Sequence, residues 1–185
     1  MRVSKQQAAE NREKILSAAS TLFRERGLSG IGVDALTAAA GMTHGSLYSQ
    51  FGSKDGLATE ALRFALSENA NNFEHSKDLK AYVSKYLSSE HRSVPGDGCA
   101  LAALGGEVAR APDALKAVFA DGVRGMIHRI ARLAGVRPSR KSEDAAIVAT
   151  ATMVGAMVLS RAVDDAELAD RILRASRSAL TSVPT

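Results

Sequence analysis

The side chains able to do covalent chemistry are scattered along this sequence. Ser17 and Ser20, Asp97 and Cys99, and Glu107 and Asp113 supply hydroxyls, a thiol and carboxylates. None completes the nucleophile, base and orienting group that acyl transfer or hydrolysis needs. Cys99 and His128 can meet only if the fold brings them together. The histidines His44, His75, His91 and His128 lack the closely spaced cysteine or carboxylate partners of a zinc site, so no metal and no cofactor is expected. No phosphate-cradling glycine-lysine loop follows a strand pattern.

Recognition chemistry is denser. Thr43, His44, Gly45, Ser46, Tyr48, Ser49 and Gln50 crowd hydroxyl, imidazole, phenol and amide groups into one short segment, with Lys54 just beyond. Hydroxyls and an imidazole at the start of a helix can reach base edges, and a lysine at a helix start can meet phosphate beside free backbone N–H groups. Gly45 lets the backbone come close. Leu47 and Phe51 are apolar at helical spacing and belong to a core.

These groups need a rigid support, and the flanking residues provide one. Ile15, Ala18, Ala19, Leu22 and Phe23 form one stripe of a first helix from Glu10 to Arg26, ended by Gly27. Val33 to Ala40 is a second short helix capped weakly by Gly32, with Val33, Leu36, Ala39 and Ala40 inward. Gly41 turns the chain, and Thr43 caps a third helix from about His44 to Gln50. Two short helices joined by one glycine suit a DNA reader, the first bracing and the second entering the major groove. Ser53 caps a fourth helix from Lys54 to about Phe73. Five further helices are expected at Leu79–Ser88, Cys99–Arg110, Asp113–Leu133, Ser142–Arg161 and Asp165–Leu180, with a loop over Glu90–Gly98.

The run from Gly41 through Leu57, with Tyr48, Phe51, Lys54 and Asp55 at their spacing, resembles the signature of TetR/AcrR-family transcriptional regulators, and the likeness extends from about Ile15 to Leu62. The resemblance implies an all-α chain of about nine helices: a three-helix head, residues 1–53, and a regulatory body, residues 54–185. It implies a repressor that binds a palindromic operator on double-stranded DNA as a homodimer. It assigns DNA contact to Thr43, His44, Gly45, Ser46, Tyr48 and Lys54, and Ser49 beside them is expected to add a contact. Two departures stand out. Gly32 replaces the Ser or Thr frequent at the second helix cap. The recognition helix carries no Lys or Arg, so Arg12, Lys14, Arg2 and Lys5 are drawn on for affinity.

The body exceeds what a DNA reader needs and is expected to bind an unidentified small-molecule effector. Candidate walls, on helices that can surround a cavity, are Phe64, Phe73, Tyr82, Tyr86, Cys99, Leu101, Leu104, Phe119, Val123, Met126 and Ile127. Cys99 follows Gly96-Asp97-Gly98, and a redox role stands there beside that of a small buried side chain. The last two helices offer a dimer surface through Val148, Ala151, Thr152, Gly155, Ala156 and Leu159, matched by Leu168, Ile172 and Ala175.

Composition agrees with this frame. Apolar residues make up 45% and charged residues 24%, the balance of a globular chain, and strand-favouring runs are scarce. A net charge of +4 is compatible with a polyanionic partner without identifying one. One cysteine excludes an intrachain disulfide and suits a reducing compartment. The N-terminus lacks a secretory apolar stretch, and Ala145–Leu159 is short for a bilayer crossing, so a cytoplasmic protein away from membranes is expected. A helical ligand-binding module that never meets DNA, or a small helical enzyme, remain the alternatives.

Overall fold

A computed structural model describes residues 5–74 and 76–182, with side chains described for 6–68 and 76–182. Arg2 and His75 lie outside the described residues, as do the side chains of Lys5 and Phe73. The described chain is all-helical. Helices α1 (Lys5–Arg26), α2 (Val33–Ala39), α3 (His44–Phe51) and α4 (Lys54–Glu74) build the head and its exit. The body follows with α5 (Leu79–Tyr86), α6 (Ser89–Ser93), α7 (Ala100–Val108), α8 (Asp113–Leu133), α9 (Arg140–Ala162) and α10 (Ala166–Thr181).

The helix ends follow local chemistry. Gly27 and Gly41 take φ of 77° and 62°, a region that costs other residues strain, so α1 and α2 stop where glycine permits the turn. Asp78, Ser88, Ser139 and Asp165 cap α5, α6, α9 and α10 through side-chain oxygens. Gly32 caps α2 without a side-chain bond. The segment expected as a loop, 90–98, is mostly helical. Ser88 nucleates α6, and Pro95–Asp97 closes a 3₁₀ turn before Cys99 caps α7.

Two apolar clusters hold the molecule. The first joins Ile15, Ala19 and Phe23 of α1 with Ile31, Leu36, Leu47, Phe51 and Leu57, and continues into Ala100, Leu104, Leu115 and Val118 of the body. The second, wholly in the body, gathers Tyr82, Tyr86, Cys99, Met126, Ile130, Met153 and Met157. Leu66 and Phe119 pack against both. The head is therefore not walled off at residue 53, because its core runs on into α7 and α8.

Helix α9 is longer than its central apolar run. At 23 residues it is long and apolar enough to cross a bilayer by length and composition, and 39% of its most apolar window is buried in the subunit. Ala146, Ala149, Met153 and Met157 face inward, packed against α8 and α10.

Candidate nucleic-acid interface and effector cavity

Helix α3 presents its polar side to solvent. Leu47 and Phe51 point into the first cluster, while Thr43, His44, Gly45, Tyr48, Ser49 and Gln50 are exposed and Ser46 is half-buried. Tyr48 stands out at 52% exposure, the largest aromatic surface offered by the head. The groups are partly committed. The Thr43 hydroxyl accepts the Ser46 N–H at 3.2 Å and so holds the helix start. Ser46 Oγ accepts from the Gln50 amide at 2.7 Å, and Ser49 Oγ donates to the Ser46 carbonyl at 3.1 Å. His44 Nε2 lies 2.6 Å from Asp34 Oδ1, a carboxylate in the first turn of α2. Asp34 was not singled out in the sequence, although its place in the first turn of the bracing helix could have marked it.

The supporting basic residues divide. Lys54 opens α4 and is half-buried at the edge of a crevice with Leu28, Asp55 and Glu107. Lys14 is exposed. Arg12, expected to add affinity for phosphate, is instead bound to the Glu60 carboxylate and stacked 4.5 Å over the Phe51 ring. That pair and cation–π contact tie α1 to α4 and spend its charge within the head.

A cavity of about 290 Å³ opens between α4, α5, α7 and α8. Of the expected wall, Tyr82, Tyr86, Cys99, Leu101 and Met126 line it, while Leu104 belongs to the first cluster. Phe64, Phe119, Val123 and Ile127 do not line it either. Phe119 spans the two clusters, while Val123 and Ile127 pack against the second. Phe64 is half-buried outside the lining. Helical spacing marked the correct faces without telling which residue fills the core and which leaves a void. The lining also contains Arg63, Ser67, Asp121 and Arg129, and Gly122 and Gly125. Sequence periodicity passed over these polar and glycine positions because it tracks only apolar ones.

Burial pushes the Tyr82 phenol up to about 12, against the charge of Arg129, which favours the ionised form. Burial, with Cys99 as the next cause, raises Tyr86 well above the usual tyrosine value. Both phenols therefore stay neutral. Cys99 caps α7 and donates its N–H to His91 Nε2 at 2.9 Å, while His91 Nδ1 stands 2.7 Å from the Tyr86 carbonyl. Since that carbonyl can only accept, the His91 proton sits on Nδ1. Burial lowers the pKa of this imidazole and keeps it neutral.

The cavity is wired to the head. Buried Arg24 of α1 donates to the Gly98 carbonyl at 3.2 Å, one residue before Cys99. Glu107 of α7 accepts the Leu28 and Ser29 N–H groups at 3.0 and 2.9 Å. On the far side, Arg161 of α9 donates to the His91 and Arg92 carbonyls at 2.7 and 3.2 Å, and Arg92 pairs with Asp170 of α10 at 2.9 Å. The α6–α7 segment thus touches α1, α9 and α10 together.

The outer face of α9 and α10 leaves apolar side chains exposed among the described residues. Val148, Ala151 and Leu159 of α9 and Leu168 and Ala175 of α10 are exposed, with Thr152, Gly155 and Ile172 half-buried beside them. Ala156, expected on this face, is 5% exposed and belongs to the internal cluster. Its place one helical turn before Ser160, also buried, sets it on the inner stripe of α9. Among the described residues no three of His, Cys, Asp and Glu gather to hold a metal ion.

Comparison with known proteins converges on one family. Residues 15–61 match the model of the bacterial regulatory proteins of the tetR family. The chain is 31% identical over 101 residues to the HTH-type transcriptional repressor KstR2 of Rhodococcus jostii (strain RHA1), a match over 52% of this chain and 50% of that repressor. The chain thus spans about half the length of the curated relative it matches. Among solved structures, the reduced form of E. coli NemR superposes with a TM-score of 0.78 at 19% identity, covering 94% of this chain and 96% of that one. A TetR-family transcriptional regulator from Cytophaga hutchinsonii gives 0.79 at 19% identity, covering 100% and 99%. These two establish the shared fold.

Proposed function

This chain is a member of the TetR family of bacterial regulatory proteins, and on that premise we propose that it represses transcription by holding a palindromic operator as a homodimer and leaving it when a small molecule enters the body. Membership places it among transcription regulators rather than enzymes. The observation that carries the proposal is the orientation of α3: its apolar residues are consumed by the core and its hydrogen-bonding residues face outward along one side. Such a helix can read base edges through His44 and the neighbouring hydroxyls while Tyr48 and Lys54 engage the backbone. A cytoplasmic location goes with that role.

One head reads few base pairs, so a second copy is needed for an operator of useful length. The exposed strip on α9 and α10 supports pairing there, with small residues allowing close approach of four helices. It also accounts for the outward apolar face of α9 without a membrane. Effector control follows from the wiring. A ligand touching Leu66 of α4 and Cys99 at the start of α7 contacts the two elements that lead to the head. It releases DNA if it favours a spacing of the two heads that the operator does not.

The test is selection of genomic fragments by the purified protein, followed by binding measurements with Lys54→Ala and Thr43→Ala. Lys54→Ala should weaken selected and random DNA alike and lower the salt slope by about 1. Thr43→Ala should reduce discrimination between them. Failure to enrich any fragment at low salt would leave a ligand-binding module in place of a repressor.

A further inference from the structure

The chemical class of the effector follows from how the cavity divides its polar and apolar walls. Leu66, Leu101, Val118 and Met126 make an apolar floor. Arg63 and Arg129 stand at the edge. The third charged group there, Asp121, is engaged by Arg124 of the next helical turn, Nη1 to Oδ1 at 2.7 Å, and its charge is offset locally. Arg129 lines the cavity beside the buried Tyr82 phenol, close enough for its charge to act on that group, and its planar fork offers several donors. The remaining polar lining is a serine hydroxyl, a buried phenol and a thiol, all neutral hydrogen-bonding groups. The cavity therefore carries a surplus of positive charge at its mouth and none of either sign on its floor.

We propose that the effector is an amphipathic organic carboxylate, its acid group held by Arg129 and Arg63 and its hydrocarbon body on the apolar floor. A guanidinium fork matches a carboxylate in two parallel hydrogen bonds, and the neighbouring low-dielectric wall strengthens them. A neutral ligand of the same shape forfeits those bonds while still displacing water from two arginines. A cationic ligand meets like charge. The volume of about 290 Å³ lies at the lower end of the small-ligand range, which suits a single ring or a short chain. This assignment rests on the body being an effector site.

Gly125 gives the control. It lines the cavity, and a Cβ there would meet no atom within 4 Å, so a larger side chain can fill the space without collision. Gly122, one turn away, offers no such freedom, because a Cβ would press 2.6 Å from Leu66 and 3.2 Å from Leu101.

The experiment titrates the full chain by calorimetry with phenylacetate, 4-phenylbutyrate and octanoate, each against its primary amide. At least one acid should bind about tenfold tighter than its amide, the scale of a charge-assisted hydrogen bond. Arg129→Gln should abolish that preference while leaving amide binding intact, and Gly125→Phe should remove both. Amides that bind as well as acids, no acid binding at all, a preference that survives Arg129→Gln, or acid binding untouched by Gly125→Phe would each overturn the proposal. Adding a selected DNA fragment separates the two ideas. An acid that binds through Arg129 without changing DNA affinity supports the ligand class and defeats effector control. An amide that binds as tightly as its acid and releases DNA does the reverse.

Discussion

His44 Nε2 stands 2.6 Å from a carboxylate oxygen of Asp34, so the first turns of the two short helices are joined on the surface proposed to meet DNA. The contact has two effects of opposite sign. It fixes the imidazole of a group proposed to read a base. It also sets a negative charge, on a side chain 92% exposed, on the face where the proposed function puts phosphates.

Asp34→Ala should therefore tighten binding several-fold on selected and unrelated DNA alike, because a repulsive charge is removed. His44→Ala should change which fragments are preferred. Fluorescence anisotropy with a selected and a scrambled duplex at several salt concentrations separates the two. Loss of discrimination in Asp34→Ala, without tighter binding, would make the carboxylate a positioning group for His44.

Glu107 holds the head against the body by accepting two adjacent backbone N–H groups, those of Leu28 and Ser29. Glu107→Ala leaves both donors to water or to nothing and should cost about 1–2 kcal/mol in urea denaturation. Hydrogen exchange at residues 28 and 29 should quicken. Gly27→Ala should destabilise too, since φ is 77° there and its Cβ would collide with the same carboxylate.

Dimerisation through α9 and α10 predicts that Val148→Glu or Leu159→Glu yields a monomer. Both side chains are more than half exposed, at 61% and 56%, so the helical fold should survive. Sedimentation equilibrium reads the mass and circular dichroism the fold. Operator binding should fall with the dimer. A mutant that stays dimeric moves the interface elsewhere.

His91 makes stability depend on pH. Burial depresses its folded-state pKa below the usual 6.5. As pH falls through 6.5 the unfolded chain takes a proton that the folded chain refuses. The contribution is therefore full above that value and is lost progressively below it, down to the folded-state pKa. Urea midpoints at about pH 7.5 and about pH 5.5 should differ more for the natural protein than for His91→Gln, whose amide can still donate and accept. An equal drop in both proteins would show that other groups carry the pH dependence.

Much of the head was legible in the sequence because its determinants are local. The stripe from Ile15 to Phe23, the glycines at 27 and 41, and the Thr43 cap each act within a few residues, and the structure places them as their spacing implies. Leu47 and Phe51 inward leave the polar residues of α3 outward by helix geometry alone. The all-helical class follows from the same periodicity.

The cavity and the wiring were not legible, for the converse reason. Glu107 meets Leu28 across 79 positions and Arg24 meets Gly98 across 74, distances over which a sequence pattern carries no register. Arg12 looked like a free cation until α4 brought Glu60 against it. Ala151 and Ala156 look alike in sequence, yet one faces solvent and the other the core. The sequence by itself determined where helices begin, end and turn apolar, since those choices are made within a turn or two of chain. Only the tertiary structure decided which arginines remain beside a void, because a cavity is the space that several distant helices together fail to fill.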